Sequence, residues 1–304
     1  MRLNKVVFFW IFFVVKTSFS QIDVGRCYQE LKKDFCYRVV QISQNYLLHS
    51  ANNENTIYLV NKNNVKVFSS LNYGIITAAL DEKEKKLAIA YYDKSIIVYD
   101  VETESVVWKK NYNTKVNVLT FNKGNLYFGL DSGQVFEHSF SLNQTKLITQ
   151  HQSIVRGLVM QDERLLSVSH EGMLKINNLK RKVKEEQSVQ FREVLTAITI
   201  SPDKQKIIIG DLLGYIHVLN SQYRLEKKVK IHENLITKLD FKDNDNLYSS
   251  SFDKKLISTN LKINKSEILF KAKDYIMTFD YYDDKIIFTS REGVIKYYNL
   301  KCVD

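Results

Sequence analysis

Short apolar runs alternate with polar turns along nearly the whole chain, and the alternation returns about every 40 residues. Each unit reads apolar strand, short turn, apolar strand, tight acidic turn, third strand, polar loop and usually a fourth strand. The second and third strands show it best: LAIAYYDKSIIVYD from Leu87, LYFGLDSGQVFEH from Leu126 and LLSVSHEGMLKIN from Leu165. They continue as IIIGDLLGYIHVL from Ile207, LYSSSFDKKLIST from Leu247 and IIFTSREGVIKYY from Ile286, and the more divergent YLLHSANNENTIYLV from Tyr46 precedes them with a longer turn. Ile207-Ile208-Ile209 and Ile286-Ile287-Phe288 are apolar throughout, as strands buried on both faces are.

The first strand of each unit alternates instead, as in Val116-Asn117-Val118-Leu119-Thr120-Phe121. These strands are Cys36 to Ile42, Ile75 to Leu80, Val116 to Phe121, Val155 to Val159, Leu195 to Ile200, Ile236 to Phe241 and Ile276 to Tyr281, with starts 39 to 41 residues apart. One four-stranded sheet of this size cannot bury both faces alone, so seven of them must pack side by side. The expected fold is all-β: a seven-bladed β-propeller of four-stranded blades. The seventh unit ends near Asn299, after its third strand. The stretch Val24 to Leu31 can supply the missing fourth strand and close the ring.

Residues 1–20 stand apart from the repeats. Arg2 and Lys5 precede ten apolar residues, Val6 to Val15, and Ser18 and Ser20 mark a cleavage site that would leave Gln21 first. This is the layout of a secretory signal peptide, which predicts a secreted or periplasmic propeller over 21–304. Ten apolar residues ended by Lys16 span about half a bilayer core, so no transmembrane anchor is expected once the signal is removed. Its removal takes the 44 basic side chains to 41 against 34 acidic ones, a net charge near +7. That balance suits anionic partners in general. The lysines, however, are scattered over every unit, without a basic run or a nucleic-acid motif, so a solvated surface is the simpler account and no nucleic-acid partner is expected.

Export permits disulfides. In a closed ring Cys302 falls just past the last third strand, beside the start of the strand carrying Cys27, which predicts a Cys27–Cys302 bond. Cys36 should lie near the opposite face, out of reach. The bond would close a loop of about 275 residues and contribute at most about 5 kcal/mol by chain entropy. Three free, half-buried thiols are the alternative.

Leu247-Tyr248-Ser249-Ser250-Ser251-Phe252-Asp253-Lys254-Lys255-Leu256 resembles the core of a WD-repeat blade, and Asp93-Lys94-Ser95, Asp131-Ser132-Gly133 and Asp211 to Gly214 occupy the corresponding turn. The resemblance covers roughly residues 36 to 300. It implies a hydrogen bond from the turn Asp to a His upstream in the same blade. His232, four residues before Ile236, and His151, four before Val155, match that His; His232 with Asp253 is the best-preserved pair. Unit four carries His170-Glu171 where the turn Asp would be, and Tyr99-Asp100 is the nearest approach to the dipeptide that names the family. The paired histidines are thereby structural rather than catalytic. His170, in a turn, is expected to be exposed.

No phosphate cradle, nucleophile elbow or CxxC is present, and no cofactor or metal is expected. Ten glycines fit kelch-type and sialidase-type propellers badly, and Trp108 alone after export disfavours Trp-docked quinoprotein blades. WD-repeat propellers usually bind partners through the loops that enter the first strand and the turns that leave the second. Here those segments offer Tyr73, Tyr92, Tyr112, Phe191, Arg192, Phe252 and Arg291, residue types that dominate interface energies. Each has an equal claim to padding a loop against the next blade. Two sequons, Asn143-Gln144-Thr145 and Asn264-Lys265-Ser266, fall in loops on the other face. The expected function is a non-catalytic interaction module or scaffold, a monomeric ring that binds another protein or peptide. The alternatives are a secreted hydrolase or lactonase using the axial channel, and a binder of anionic glycans or surfaces.

Overall fold

A computed structural model describes residues 28–32, 37–51, 55–61, 64–69, 73–180 and 186–302. The leader 1–20, Cys27 and Cys36 lie outside the described residues, and the Cys27–Cys302 pairing with them. Twenty-eight strands form seven four-stranded antiparallel sheets; the only helical turn among the described residues is Leu300–Cys302, a 3-10 turn. The innermost strands are Tyr37–Ile42, Ile75–Leu80, Val116–Asn122, Val155–Gln161, Leu195–Ile200, Ile236–Phe241 and Ile276–Tyr282. Each packs against the next, and the seventh packs against the first, so the ring is closed. No helix among the described residues is long and apolar enough to cross a membrane.

The seam is where the incomplete last repeat placed it. Tyr28–Lys32 pairs antiparallel with Val294–Asn299, from Tyr28 opposite Tyr298 to Lys32 opposite Val294, and completes the seventh blade.

Burial follows the apolar pattern. Ile207, Ile208 and Ile209 are fully buried, as are Ile286 and Ile287. The core is divided into layers between neighbouring blades: Leu59, Phe68 and Ile89 join blades one and two, and Ile208, Ile236 and Phe241 join five and six. Val40, Ile287 and Ile295 fill the layer across the seam. At roughly 25 cal/mol per Å² of buried apolar surface, such layers are the main favourable term. The fourth strands, such as Val106–Asn111, lie largely in solvent.

Every inner strand departs from plain alternation at one place. Pairing with the second strand slips after the first residue in all seven blades, for instance between Ile236 and Lys238. An extra residue inserted there bends the strand and re-aims its side chain. The inserted residues in blades two to seven are Ile76, Asn117, Arg156, Thr196, Thr237 and Met277.

Candidate functional site

The face bearing the loops into the inner strands and the turns out of the second strands, here the upper face, has a regular rim. In six blades the first residue of the turn donates its backbone N–H to the carbonyl of the residue preceding the inner strand. The pairs are Tyr92 to Gly74, Asp131 to Lys115, His170 to Ile154, Leu212 to Val194, Phe252 to Leu235 and Arg291 to Tyr275. Two side-chain positions per blade are thus held side by side, and the turn position of one blade meets the preceding-residue position of the next. Lys115 Nζ lies 4.8 Å over the Tyr92 ring, and Phe252 stacks on Tyr275 with centroids 4.9 Å apart and planes 15° apart. Around Tyr275 two cations converge: Arg291 at 5.8 Å and Lys254 Nζ at 6.0 Å from its centroid.

The residues expected on this face divide in two. Tyr73 is 46% exposed, Arg192 and Arg291 are exposed, and Tyr92 and Phe252 are half-buried on the rim. Phe191 and Tyr112 are packing residues instead. Phe191 is buried in the layer between blades four and five, and Tyr112 packs on Phe128 and Phe136 with its hydroxyl buried. The reason is positional: both stand four residues before an inner strand, where His151 and His232 stand in blades four and six. An aromatic ring there fills the space of the histidine and turns inward. Leu212, Leu213, Lys115 and Tyr275 were not among the expected residues, yet Leu212 and Leu213 are exposed at the turn of blade five. The periodic turn position, read across all units, is the signal that would have found them.

Each of the two histidines is hydrogen-bonded inside its own blade, with one partner more than the sequence suggested. His232 Nδ1 lies 2.9 Å from Asp253 Oδ2 and its Nε2 lies 2.8 Å from Ser249 Oγ. His151 repeats this with Glu171 at 3.0 Å and Ser167 at 2.7 Å. Burial works to raise the Asp253 carboxyl, but the hydrogen bond and charge of His232, with the N–H groups of Glu233 and Lys255, hold it below the usual range. Burial keeps His151 neutral by pushing its pKa down, against the pull of Glu171. His170 is half-buried rather than exposed; Arg156 Nε donates to its Nε2 at 2.6 Å. Asp211 ends the second strand of blade five, two residues before the counterpart of Asp253. There it accepts the N–H groups of Leu213 and Tyr215 and meets His217 Nε2 at 3.0 Å. Glu193, Asp211 and His217 are the one group among the described residues spaced to hold a metal ion. Glu193 is engaged by Lys228 at 2.5 Å and His217 lies 3.0 Å from Asp211, so each member already has a polar partner within the blade.

Between the inner strands lies a cavity of about 1020 Å³, lined by Thr77, Thr120, Lys238, Thr278 and Asp280 and, at the lower-face turns, by Gln44, Asn45, Glu82 and Glu84. Lys238 Nζ pairs with Asp280 Oδ1 at 2.7 Å, and Asp240 stands two residues further along the same strand. Burial, offset in part by Lys238 and reinforced by Asp280, pushes Asp240 up to about 6. The inner strands Ile236–Phe241 and Ile276–Tyr282 bring Lys238 and Asp280 to this wall. Asn143 and Asn264 are exposed in lower-face turns with φ of 48° and 54°.

No protein-family description and no curated protein matches the chain by sequence. Solved structures match in three dimensions. A chain from the crystal structure of a mitotic checkpoint complex superposes with a TM-score of 0.77 at 14% identity, over 90% of this chain and 91% of that one. The computationally designed Ika8 protein superposes with a TM-score of 0.70 at 14% identity, over 88% of this chain and 97% of that one. At such identity the likeness is one of fold.

Proposed function

We propose that this propeller is an exported, non-catalytic interaction module that presents its upper face to a protein or peptide partner. The observation that carries the reading is the rim arc from Leu212 through Phe252 and Tyr275 to Arg291. Exposed leucines, a stacked aromatic pair and two cations lie there on a rigid, hydrogen-bonded frame. Aromatic and Arg side chains on rigid elements are the usual anchors of interfaces. The checkpoint-complex neighbour, a propeller-like chain from a protein assembly, agrees in kind. The test is affinity capture of the full-length protein from its native compartment, with cross-links mapped. The triple variant Leu212→Ser, Leu213→Ser, Arg291→Ala should lose the captured partner while its melting temperature stays within about 3 °C, since all three side chains are exposed. Retention of the partner by the variant overturns the reading. Export itself is tested by N-terminal sequencing, which should begin at Gln21.

A second reading, a small-molecule or hydrolytic site in the axial cavity, is favoured by Lys238 and Asp280 on its wall, with Asp240 two residues beyond Lys238 on the same strand. Turnover of ester or lactone substrates that is lost in Asp240→Asn would support it over the first.

A further inference from the structure

We propose that the arc of the upper rim over blades five to seven recognises an acidic peptide segment carrying an apolar or aromatic anchor residue. This inference rests on the interaction-module reading and names the chemistry of the partner. The anchor would lie against Leu212, Leu213 and the Phe252–Tyr275 stack, where Leu212 is 45% and Leu213 53% exposed. The carboxylates would meet Lys254 and Arg291, which flank the Tyr275 ring.

What singles out acidic chemistry is the local balance of charge. Neither Lys254 nor Arg291 pairs with a carboxylate among the described residues; Lys254 Nζ donates to the carbonyl of Lys273 at 3.1 Å. The neighbouring carboxylates are engaged elsewhere. Asp253 holds His232, Asp274 accepts the N–H of Tyr275 at 2.7 Å, and Glu292 takes the hydroxyl of Ser290 at 3.0 Å with Lys296 at 3.9 Å. Glu233 faces Lys230 at 3.8 Å. Two cations on one aromatic platform are thus left without a carboxylate partner, and the chain after the leader carries a net charge near +7. Two cations beside an apolar strip fit one or two carboxylates next to an anchor. A phosphate or sulfate polymer would need a longer basic row.

The experiment selects a phage-displayed library of random twelve-residue peptides on the purified protein and measures the winners by fluorescence anisotropy. Enrichment of Asp or Glu beside an aromatic or aliphatic residue is expected. Replacing those acids by Asn and Gln should weaken binding at least tenfold, as should the double variant Lys254→Glu, Arg291→Glu, while Lys254→Arg, Arg291→Lys keeps it within about threefold. Circular dichroism of each variant guards against misfolding. Enrichment of neutral or basic peptides that Leu213→Ser abolishes would overturn this inference and leave the interaction reading standing. No enrichment at all, with heparin fragments or anionic vesicles bound instead, would overturn both.

Discussion

Asp280 of the seventh blade accepts the backbone N–H of Ile42 in the first at 2.7 Å. Its other oxygen receives Lys238 of the sixth blade, so one carboxylate ties three consecutive blades across the seam of the ring. Gln41 makes the corresponding contact one blade on, accepting the N–H of Leu80 at 3.0 Å. Asp280→Ala removes both acceptor oxygens and leaves an inward-facing ammonium. The expected loss is about 2–3 kcal/mol, below the range for fully buried pairs because Lys238 is partly solvated. Chemical denaturation of this variant beside Gln41→Ala, which loses only one neutral hydrogen bond and about 1 kcal/mol, checks it.

The His232 pair should carry more than its neighbours. His232→Ala deprives Asp253 and Ser249 of their partner at once and opens a cavity, for an expected cost of about 2–4 kcal/mol. Because the Asp253 pKa is depressed on folding, its contribution is complete above pH about 4 and fades as pH falls further. A denaturation series from pH 7 to 3 on Asp253→Asn should show a smaller acid-induced loss than the parent.

His151 predicts a loss at milder acidity. Its pKa is lowered on folding, so the unfolded chain takes up a proton near pH 6.5 that the folded one refuses. Stability from this group is complete above pH 6.5 and declines as pH falls below it. His151→Asn, although less stable at pH 8, should show a shallower slope across that window.

Asp240 works in the opposite direction. With its folded pKa raised to about 6, the ionised form is disfavoured in the fold, and stability falls as pH rises from about 4 to 6. Asp240→Asn should gain about 1–2 kcal/mol at pH 8, a value reduced for the partial solvent access of the group. The gain should vanish toward pH 4. Thermal melts of both proteins across that range decide it.

Gly214 sits at φ +85° with its Cα against the backbone of His232; an added Cβ would lie 2.2 Å from that residue's carbonyl oxygen. Gly214→Ala should cost more than about 2 kcal/mol, since neither backbone can move freely. Lys254 occupies the same turn position of blade six at φ +72°, so Lys254→Gly should leave stability unchanged or raised by up to about 1 kcal/mol.

Seven blades, their strands and the borrowed closing strand were legible because each depends on local alternation and on a count of strands. The pair of His232 and Asp253 was expected from the resemblance to a WD-repeat blade, and the two side chains lie 2.9 Å apart. Phe191 and Tyr112 were misplaced for a related reason: residue type suggested an exposed anchor, whereas their place four residues before an inner strand commits them to the core. Leu212, Leu213 and Tyr275 escaped notice because leucine and tyrosine look like core residues in a chain so rich in apolar strands.

By itself, the sequence determined how many blades there are, which strands are buried on both faces and where the ring must close. These follow from the alternation within each unit and from counting units along the chain, neither of which needs to know which side chains meet in space. Only the tertiary structure decided which side chains meet across blades. Phe252 reaches Tyr275, Lys115 covers Tyr92, and Asp280 holds both Ile42 and Lys238. Such contacts join residues from 23 to 238 positions apart, and they exist only because a bulge at the head of every inner strand and a closed ring fix the angle between blades.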